Sequence, residues 1–184
     1  MISELAIVRF FNHLGQGTSL DSLSFLISWI PFLVAFWTSL ALLALIFDLK
    51  NGKKIILGVL LITLIYFFLN DWLIKSMILE HIFWRERPYL ILPQEIFANG
   101  ESWQDSSFPS GHLAITLALI TLFIYYYRRF WVWMAGILLA ILMAFSRIHN
   151  GMHYPSDVLA GAVLGILYGF LAIFIIGKIQ KLVK

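Results

Sequence analysis

The sequence predicts an all-α integral membrane helical bundle with five transmembrane helices and an N-terminal interfacial amphipathic helix. Hydrophobic residues occupy 61% of the 184 positions and charged residues only 12%. A soluble domain needs roughly a quarter of its residues charged to cover its surface, so this chain must contact lipid. Helices are expected because open strands would leave backbone polar groups unpaired in a bilayer. The length suits a single domain over residues 1–184, since no linker or composition shift divides it.

Five apolar stretches are the candidate spans, because about 20 apolar residues cross the hydrocarbon core. They are Leu23–Phe47, Ile55–Leu79, Leu113–Tyr127, Trp131–Phe145 and Val158–Gly177. The third and fourth are short and are expected to extend into their polar ends. Residues 1–14 place apolar and polar side chains at helical spacing, which favours a helix in the membrane interface. Glu4 and Arg9 argue against a sixth span there.

Basic residues set the expected orientation, because cytoplasmic loops are enriched in lysine and arginine. With five spans, the basic clusters at residues 50–54, 128–129 and 178–184 all fall on one side. We expect that side to be the cytoplasm. The N-terminus, the 80–110 loop and the 146–157 turn would then face the periplasm or the cell exterior.

Composition also excludes several kinds of site and partner. The chain has no cysteine, which excludes disulfides and thiolate metal sites. Its net charge is only +3 and its lysines lie in short clusters between apolar runs, a pattern that indicates membrane orientation rather than nucleic-acid binding. The N-terminus lacks a basic start followed by an apolar run, so we do not expect a cleavable signal peptide. No feature indicates a cofactor or an obligate protein partner.

Three polar segments lie where spans meet the predicted outer surface, and such positions are usually functional. They are WRERPY (84–89), FPSGH (108–112) and SRIHNGMHYPSD (146–157). FPSGH is typical of a helix start, with Ser110 as N-cap and Gly111 allowing close approach of a ligand. A helix N-terminus binds phosphate through its free N–H groups, and His112 lies in that first turn. Taken alone, FPSGH is equally consistent with a capped helix bearing an interfacial histidine.

The third segment places a carboxylate near a histidine. Pro155 suits the first turn of the fifth helix, from which Asp157 can reach back towards His153. A carboxylate that accepts from one ring nitrogen leaves the other nitrogen free to attack. Arg147 ends the fourth span, and its planar guanidinium suits phosphate oxygens. The simpler alternative makes Asp157 a helix cap and Arg147 a residue that extends to the interface.

A metal site is the competing interpretation of this segment. His149, His153 and Asp157 are spaced four residues apart, as zinc ligands on one helix face are. Gly151 and Pro155 interrupt such a helix, and no cysteine or further suitably placed histidine completes a ligand set. We therefore favour nucleophilic catalysis without a metal.

With these three segments, the chain resembles a known family, the type 2 phosphatidic acid phosphatase (PAP2) superfamily. The family signature is Lys-x6-Arg-Pro, then Pro-Ser-Gly-His, then Ser-Arg-x5-His-x3-Asp. The chain contains the second part at Pro109–His112 and the third as Ser146, Arg147, His153 and Asp157, and it keeps Arg87 and Pro88 of the first. The resemblance covers spans two to five.

The resemblance implies a bacterial inner-membrane lipid phosphatase that needs no metal. It makes His153 the nucleophile that forms a phosphohistidine, Asp157 the residue that orients it, and His112 the general acid and later the base. Phosphate would be held by Arg87, Arg147, Ser110 and the Gly111 amide. The implied substrates are undecaprenyl diphosphate, phosphatidylglycerophosphate or lipid A 1-phosphate, with the isoprenoid diphosphate preferred.

Two other functions remain open for such a chain. A phosphohistidine can transfer its phosphate to a second lipid, which would make the protein a phosphotransferase. The fold could also serve a non-catalytic lipid-binding or transport protein. Intact His112, Arg147, His153 and Asp157 argue against that second alternative, because transport needs no nucleophile.

One position departs from the family pattern. Glu80 stands where the family has lysine, and it would repel phosphate unless Arg85 or Arg87 pairs with it. Lys75 is twelve residues before Arg87, which places it about 120° round a regular α-helix from that arginine. We therefore expect Lys75 to pair with Asp71, four residues earlier, and the phosphate pocket to have fewer cations than the family norm.

Overall fold

All regular secondary structure in the described part of the chain is helical, which confirms the predicted class. The computed structural model describes residues 2–79, 84–100 and 103–182, without the side chains of residues 2–3 and 75–79. The elements are α1 (Ile2–His13), α2 (Ser19–Ser28), α3 (Ile30–Phe47), α4 (Leu49–Ile65), a π-helical segment (Tyr66–Leu79), α5 (Pro88–Ile91), α6 (Gly111–Tyr127), α7 (Phe130–His149) and α8 (Pro155–Leu182).

The protein is a multi-pass membrane protein, as predicted. Four helical stretches have the length and composition to cross a bilayer: Ile30–Phe47, Leu49–Ile74, Phe130–His149 and Pro155–Leu182. Helix α6 is apolar but has 17 residues, at the lower end of the usual range of about 17–25 for a span. The predicted third span gains only Gly111 and His112, whereas the fourth extends through its polar end to His149. The fifth extends at both ends, to Pro155 and Leu182.

The predicted first span is divided at Trp29 into α2 and α3. Trp29 has an extended backbone with φ −69° and ψ 120°, and Pro31 follows in the first turn of α3. Proline lacks an N–H and is tolerated at the start of a helix but not in its interior. The break leaves the last carbonyls of α2, including that of Ser28, without the partners that a continuous helix would give them.

Helices α6 and α8 run parallel and pack closely through a line of glycines. Gly161, Gly165 and Gly169 recur every four residues, so they share one face of α8. A Cβ at each would clash, in turn, with the backbone carbonyls of Ser110, Ala114 and Ala118 in or just before α6. Small residues allow backbones to approach in membrane bundles. This packing places the start of α6 directly against the start of α8.

The basic clusters meet at the opposite end of the bundle. The Lys54 ammonium lies 5.3 Å from the centre of the Tyr126 ring, so the start of α4 adjoins the end of α6. Arg128 ends α6 in a left-handed conformation, and parallel α8 carries Lys178 to the same end. The geometry agrees with the prediction that the basic segments share one side.

Helix α1 forms where the sequence predicts it and packs on the end of the bundle away from the basic clusters. Val8 is buried, whereas Phe10 on another face is 65% exposed. The Asn12 amide donates to the carbonyls of His149 (2.7 Å) and Phe97 (2.9 Å). Helix α1 is therefore held to the loops by a face that contains Val8 and Asn12, while another face exposes Phe10.

Close packing of α6 on α8 gives a direct test of the fold. We expect Gly161→Ala to lower the free energy of unfolding by about 1–3 kcal/mol, because the added methyl group overpacks a backbone contact. The matched control is Gly177→Ala on the same helix, where a Cβ meets no described atom within 4 Å. Thermal melting in detergent should show a lower Tm for the first variant only. Equal Tm values would contradict the packing.

Candidate active site

Five of the seven predicted site residues line one cavity of about 360 Å³. They come from all three polar segments and are Arg87, Gly111, His112, Arg147 and His153. Ser110 and Asp157 lie behind this lining rather than in it. The cavity is at the end of the bundle where α6 and α8 begin, away from the basic clusters.

His153 is held in a tight turn between α7 and α8. Its N–H donates to the Arg147 carbonyl at 3.2 Å. Gly151 has a φ of +71°, which residues with a side chain rarely adopt. The ring Nδ1 lies 2.7 Å from the Ser107 carbonyl oxygen. Because a carbonyl only accepts, Nδ1 carries the proton and Nε2 keeps its lone pair. Nε2 is 3.4 Å from Arg87 Nη1.

Asp157 lies in the first turn of α8 close to His153, as predicted, but it does not hydrogen-bond to the ring. Its Oδ2 is 3.7 Å from His153 Nδ1, which is an ion-pair distance and too long for a hydrogen bond. The same oxygen accepts from the Tyr154 N–H at 2.9 Å in the first turn of α8. Direct hydrogen bonding of Asp157 to the ring is therefore wrong, because the Ser107 carbonyl already occupies that side of His153.

Arg87 is fixed before a ligand binds. It precedes Pro88, which begins α5, and its side chain is almost fully buried. Nη2 lies 2.6 Å from Asp105 Oδ1, and Nη1 donates to the Met152 carbonyl at 3.1 Å. A buried guanidinium with fixed partners can bind phosphate oxygens without losing much side-chain entropy.

The start of α6 faces the cavity with Gly111 and His112. The His112 ring hydrogen-bonds to the backbone of Ser28, which the break between α2 and α3 makes available. Ser110 is the N-cap residue, but its hydroxyl makes no capping bond. Among the described residues this Oγ is buried and has no hydrogen-bond partner. The Ser110 N–H donates to the Asp157 carbonyl at 3.0 Å and so joins α6 to α8.

The three residues of the metal alternative do not form one ligand set. His149 Nε2 lies 3.0 Å from the Leu14 carbonyl, and its ring stacks on Phe145 at 5.1 Å. His153 instead binds Ser107. No group of three histidine, aspartate or glutamate side chains within residues 2–79, 84–100 and 103–182 has the arrangement of a metal site.

The family lysine position lies outside the described residues. Glu80 and the side chain of Lys75 are both in this part of the chain, so their predicted pairings stay predictions. The predicted angle between Lys75 and Arg87 requires a regular α-helix, whereas the backbone from Tyr66 to Leu79 is π-helical. The π-helix has a wider turn with i→i+5 bonds, so the angle of 120° does not apply. Asp71, the predicted partner of Lys75, lines the cavity.

Comparison with known proteins then identifies the family. The model of the PAP2 superfamily matches residues 54–181. This chain belongs to the PAP2 superfamily. It is 38% identical over 86 residues to undecaprenyl-diphosphatase of Sulfolobus acidocaldarius, covering 44% of this chain and 41% of that protein. It is 46% identical over 72 residues to lipid A 1-phosphatase of Porphyromonas gingivalis, covering 38% and 16%. The chain thus spans less than half the length of these curated relatives.

Solved PAP2 proteins share the fold over nearly the whole chain. The crystal structure of Aquifex aeolicus LpxE superposes with a TM-score of 0.66 and 25% identity, covering 92% of this chain and 94% of that one. A PAP2-type phosphatidylglycerolphosphate phosphatase from Bacillus subtilis gives 0.63 at 20% identity, covering 97% and 86%. The second likeness shows the fold alone.

Several residues that build this PAP2 site were not singled out from the sequence. Asn150 is buried and joins α2 to the turn before His153, since it accepts from the Ser24 hydroxyl at 2.7 Å and donates to Ser28 Oγ at 3.0 Å. Ser107 contacts the His153 ring through its backbone carbonyl, which no side-chain pattern can reveal. The sequence feature that could have indicated the Asn150 contacts is the set of small polar residues within apolar helix α2, which includes Ser24 and Ser28.

Proposed function

We propose that this PAP2 protein is an integral membrane lipid phosphatase that works through a phosphohistidine on His153. The proposal rests on which nitrogen of the His153 ring carries the proton. Ser107 holds Nδ1, and the unprotonated Nε2 lies beside Arg87 at the cavity that His112 and Arg147 also line. A nucleophile, a second histidine and two cations around one space suit phosphoryl transfer.

The reaction follows from these positions. His153 Nε2 attacks phosphorus, forming an N–P bond while the bond from phosphorus to the lipid oxygen breaks. The imidazolium form of His112 gives a proton to that oxygen and becomes neutral, and Asp157 at 3.7 Å stabilises the cationic ring of the phosphohistidine. Water then attacks phosphorus as His112 takes its proton. The N–P bond breaks, inorganic phosphate leaves, and both histidines return to their starting state.

Charge on the phosphate oxygens would be balanced without a metal. Arg87 and Arg147 both line the cavity, and the first N–H groups of α6, including that of Gly111, have no intrahelical acceptor. Fixed cations and a helix N-terminus are the kind of groups that stabilise a transferring phosphoryl group. Ser110, with its unsatisfied buried hydroxyl, is an additional donor if the turn adjusts around phosphate.

Apolar side chains at the same cavity favour a lipid over a soluble phosphate ester. Ile30, Trp84 and Trp103 line it and are 41%, 49% and 38% exposed. A hydrocarbon chain can therefore leave the phosphate site along an apolar surface. Relatives named undecaprenyl-diphosphatase and lipid A 1-phosphatase suggest the substrate class. We place the isoprenoid diphosphate first, ahead of lipid A 1-phosphate and phosphatidylglycerophosphate.

The test is phosphate release by the purified protein from a panel of these three lipids and a soluble sugar phosphate. Release from a lipid but not from the sugar phosphate would support the proposal. Adding a second lipid carrying a free hydroxyl distinguishes the phosphotransferase, because labelled phosphate would then appear on that lipid. Lipid binding with neither release nor transfer would instead favour a binding or transport protein.

We also propose that the active site faces the periplasm or cell exterior of a bacterial inner membrane. The basic clusters lie at the opposite end of the bundle and favour the cytoplasm. Because the chain has no cysteine, a single introduced thiol reports one position cleanly. A membrane-impermeant maleimide should label Gln94→Cys in intact cells and Arg129→Cys only after permeabilisation. The reverse pattern would show that the site faces inwards.

Metal independence gives a separate prediction. We expect EDTA to leave the turnover number unchanged, because side chains alone supply the positive charge. Orthovanadate should inhibit, since its trigonal-bipyramidal adduct on His153 resembles the transition state. Steady-state kinetics with and without each reagent tests both points. Activity lost in EDTA and regained with zinc or magnesium would restore the metal alternative.

A further inference from the structure

Arg85 lies behind the turn between α7 and α8 that holds His153. It contacts both groups that face His153 Nδ1, which are Asp157 and Ser107. Its Nη1 is 2.5 Å from Asp157 Oδ1, and its backbone carbonyl accepts from the Ser107 N–H at 2.8 Å. Ser107 in turn accepts from the His153 ring through its own carbonyl. Arg85 thus reaches the nucleophile by two routes without lining the cavity itself.

Further contacts restrain the Arg85 side chain to one position. Nη1 also donates to the Ser156 hydroxyl at 2.7 Å, and the guanidinium lies 3.9 Å from the centre of the Tyr154 ring. A guanidinium stacked on an aromatic ring and bonded to a buried carboxylate has little freedom to move. Asp157 is fully buried, and Arg85 on Oδ1 and the Tyr154 N–H on Oδ2 together fix where its charge lies.

Glu4 of α1 completes the arrangement from the other side. Its Oε2 is 2.7 Å from Arg85 Nη2, and its Oε1 accepts from the Ser156 N–H at 2.9 Å. That N–H belongs to the first turn of α8, where a helix has no internal acceptor. Burial raises the pKa of Glu4, but the bonds from Ser156 and Arg85 outweigh it and leave that pKa below its ordinary value. The carboxylate is therefore ionised at neutral pH.

The charges of this cluster bear on the intermediate. Glu4 and Asp157 each carry a negative charge and Arg85 one positive charge, so the cluster has one net negative charge. Without Glu4, Arg85 would neutralise Asp157, and the phosphorylated His153 ring would lose its compensating charge. A fixed negative charge near a developing cation lowers the barrier only if it is held in place.

We propose that Arg85 is a positioning residue for His153, and that Glu4 acts through Arg85, so that α1 is part of the catalytic framework. This inference rests on the proposed role of His153 as nucleophile. Arg85 does not line the cavity, so we do not expect it to contact the substrate. Its loss should therefore lower kcat and leave KM nearly unchanged, whereas a phosphate-binding arginine would affect KM as well.

The experiment compares four variants with the wild type on one lipid phosphate: Arg85→Met, Glu4→Gln, the double variant and Arg9→Gln. We expect Arg85→Met to lower kcat by about 10- to 100-fold, the range that follows from misplacing a catalytic group, with little change in KM. Glu4→Gln should lower kcat less, and the double variant should fall no further than Arg85→Met, since the two residues act in series.

Arg9→Gln is the matched control for the docking of α1. Arg9 pairs with Glu95 at 2.5 Å, an exposed ion pair that joins α1 to the loop but has no contact with Asp157. The Arg9→Gln variant should keep wild-type kcat. Its Tm should differ from that of the wild type only by the small effect of losing a surface ion pair. If Arg85→Met does not fold, Glu4→Gln against Arg9→Gln still decides, because equal kcat values in these two variants would overturn the proposal.

The remaining outcomes separate this inference from the proposed function. Wild-type kcat in folded Arg85→Met, or a loss confined to KM, would overturn the positioning role. Wild-type protein and His153→Ala are run in the same assay. If the wild type releases no phosphate, or if His153→Ala keeps its activity, the proposed function fails first and this inference falls with it.

Discussion

His153→Ala is expected to lower kcat for lipid phosphate hydrolysis by about 10⁴-fold or more, as loss of a covalent nucleophile does in other enzymes. Without Nε2 no phosphohistidine forms, and Arg87 and Arg147 can only bind the substrate. The remaining groups of the cavity should still hold phosphate, so KM should change much less than kcat. Steady-state phosphate release, with enzyme at high concentration to detect the residual rate, measures both.

The control for this variant is His13→Ala. His13 is an exposed histidine of α1 that contacts the Glu95 carbonyl and lies outside the cavity lining. It should keep wild-type turnover, and both variants should elute as single species and melt cooperatively in detergent. A folded His153→Ala protein with a tenth of wild-type turnover would exclude this histidine as the nucleophile.

The second large effect is expected for His112→Ala, at about 10²- to 10⁴-fold on a lipid monophosphate, the usual contribution of a general acid or base. The first step would lack the proton that the lipid oxygen needs on leaving. The second would lack the base that activates water. These two defects can be separated by changing the leaving group.

An aryl phosphate such as p-nitrophenyl phosphate distinguishes them, because its phenolate leaves without protonation. With this substrate His112→Ala should release one equivalent of p-nitrophenolate per active site in a rapid burst, and then turn over slowly as the phosphohistidine waits for water. Stopped-flow absorbance measures the burst, and acid-labile label on the protein identifies the intermediate. Equal losses on both substrates with no burst would contradict the acid–base assignment.

The spans and the polar segments could be predicted from the sequence because both are local properties. A helix that crosses a bilayer satisfies its backbone internally, so hydropathy alone locates it. Pro31 was a visible signal for the break at Trp29, and the predicted first span overlooked it. The motif residues His112, Arg147 and His153 meet at one cavity because all three lie at the same end of the bundle, which counting the spans already implies.

What holds those residues was decided only by the tertiary structure. The spacing of His153 and Asp157 favoured a direct hydrogen bond, yet Ser107, 46 positions away in the chain, occupies Nδ1. Asp157 pairs with Arg85, 72 positions away, and Arg85 with Glu4, 81 positions away. Each of these polar groups has several possible partners of suitable chemistry. The sequence by itself determined a multi-pass helical bundle and the residue types of its site, and packing alone selected the partners, because hydrogen bonds form between groups that the fold brings within about 3 Å.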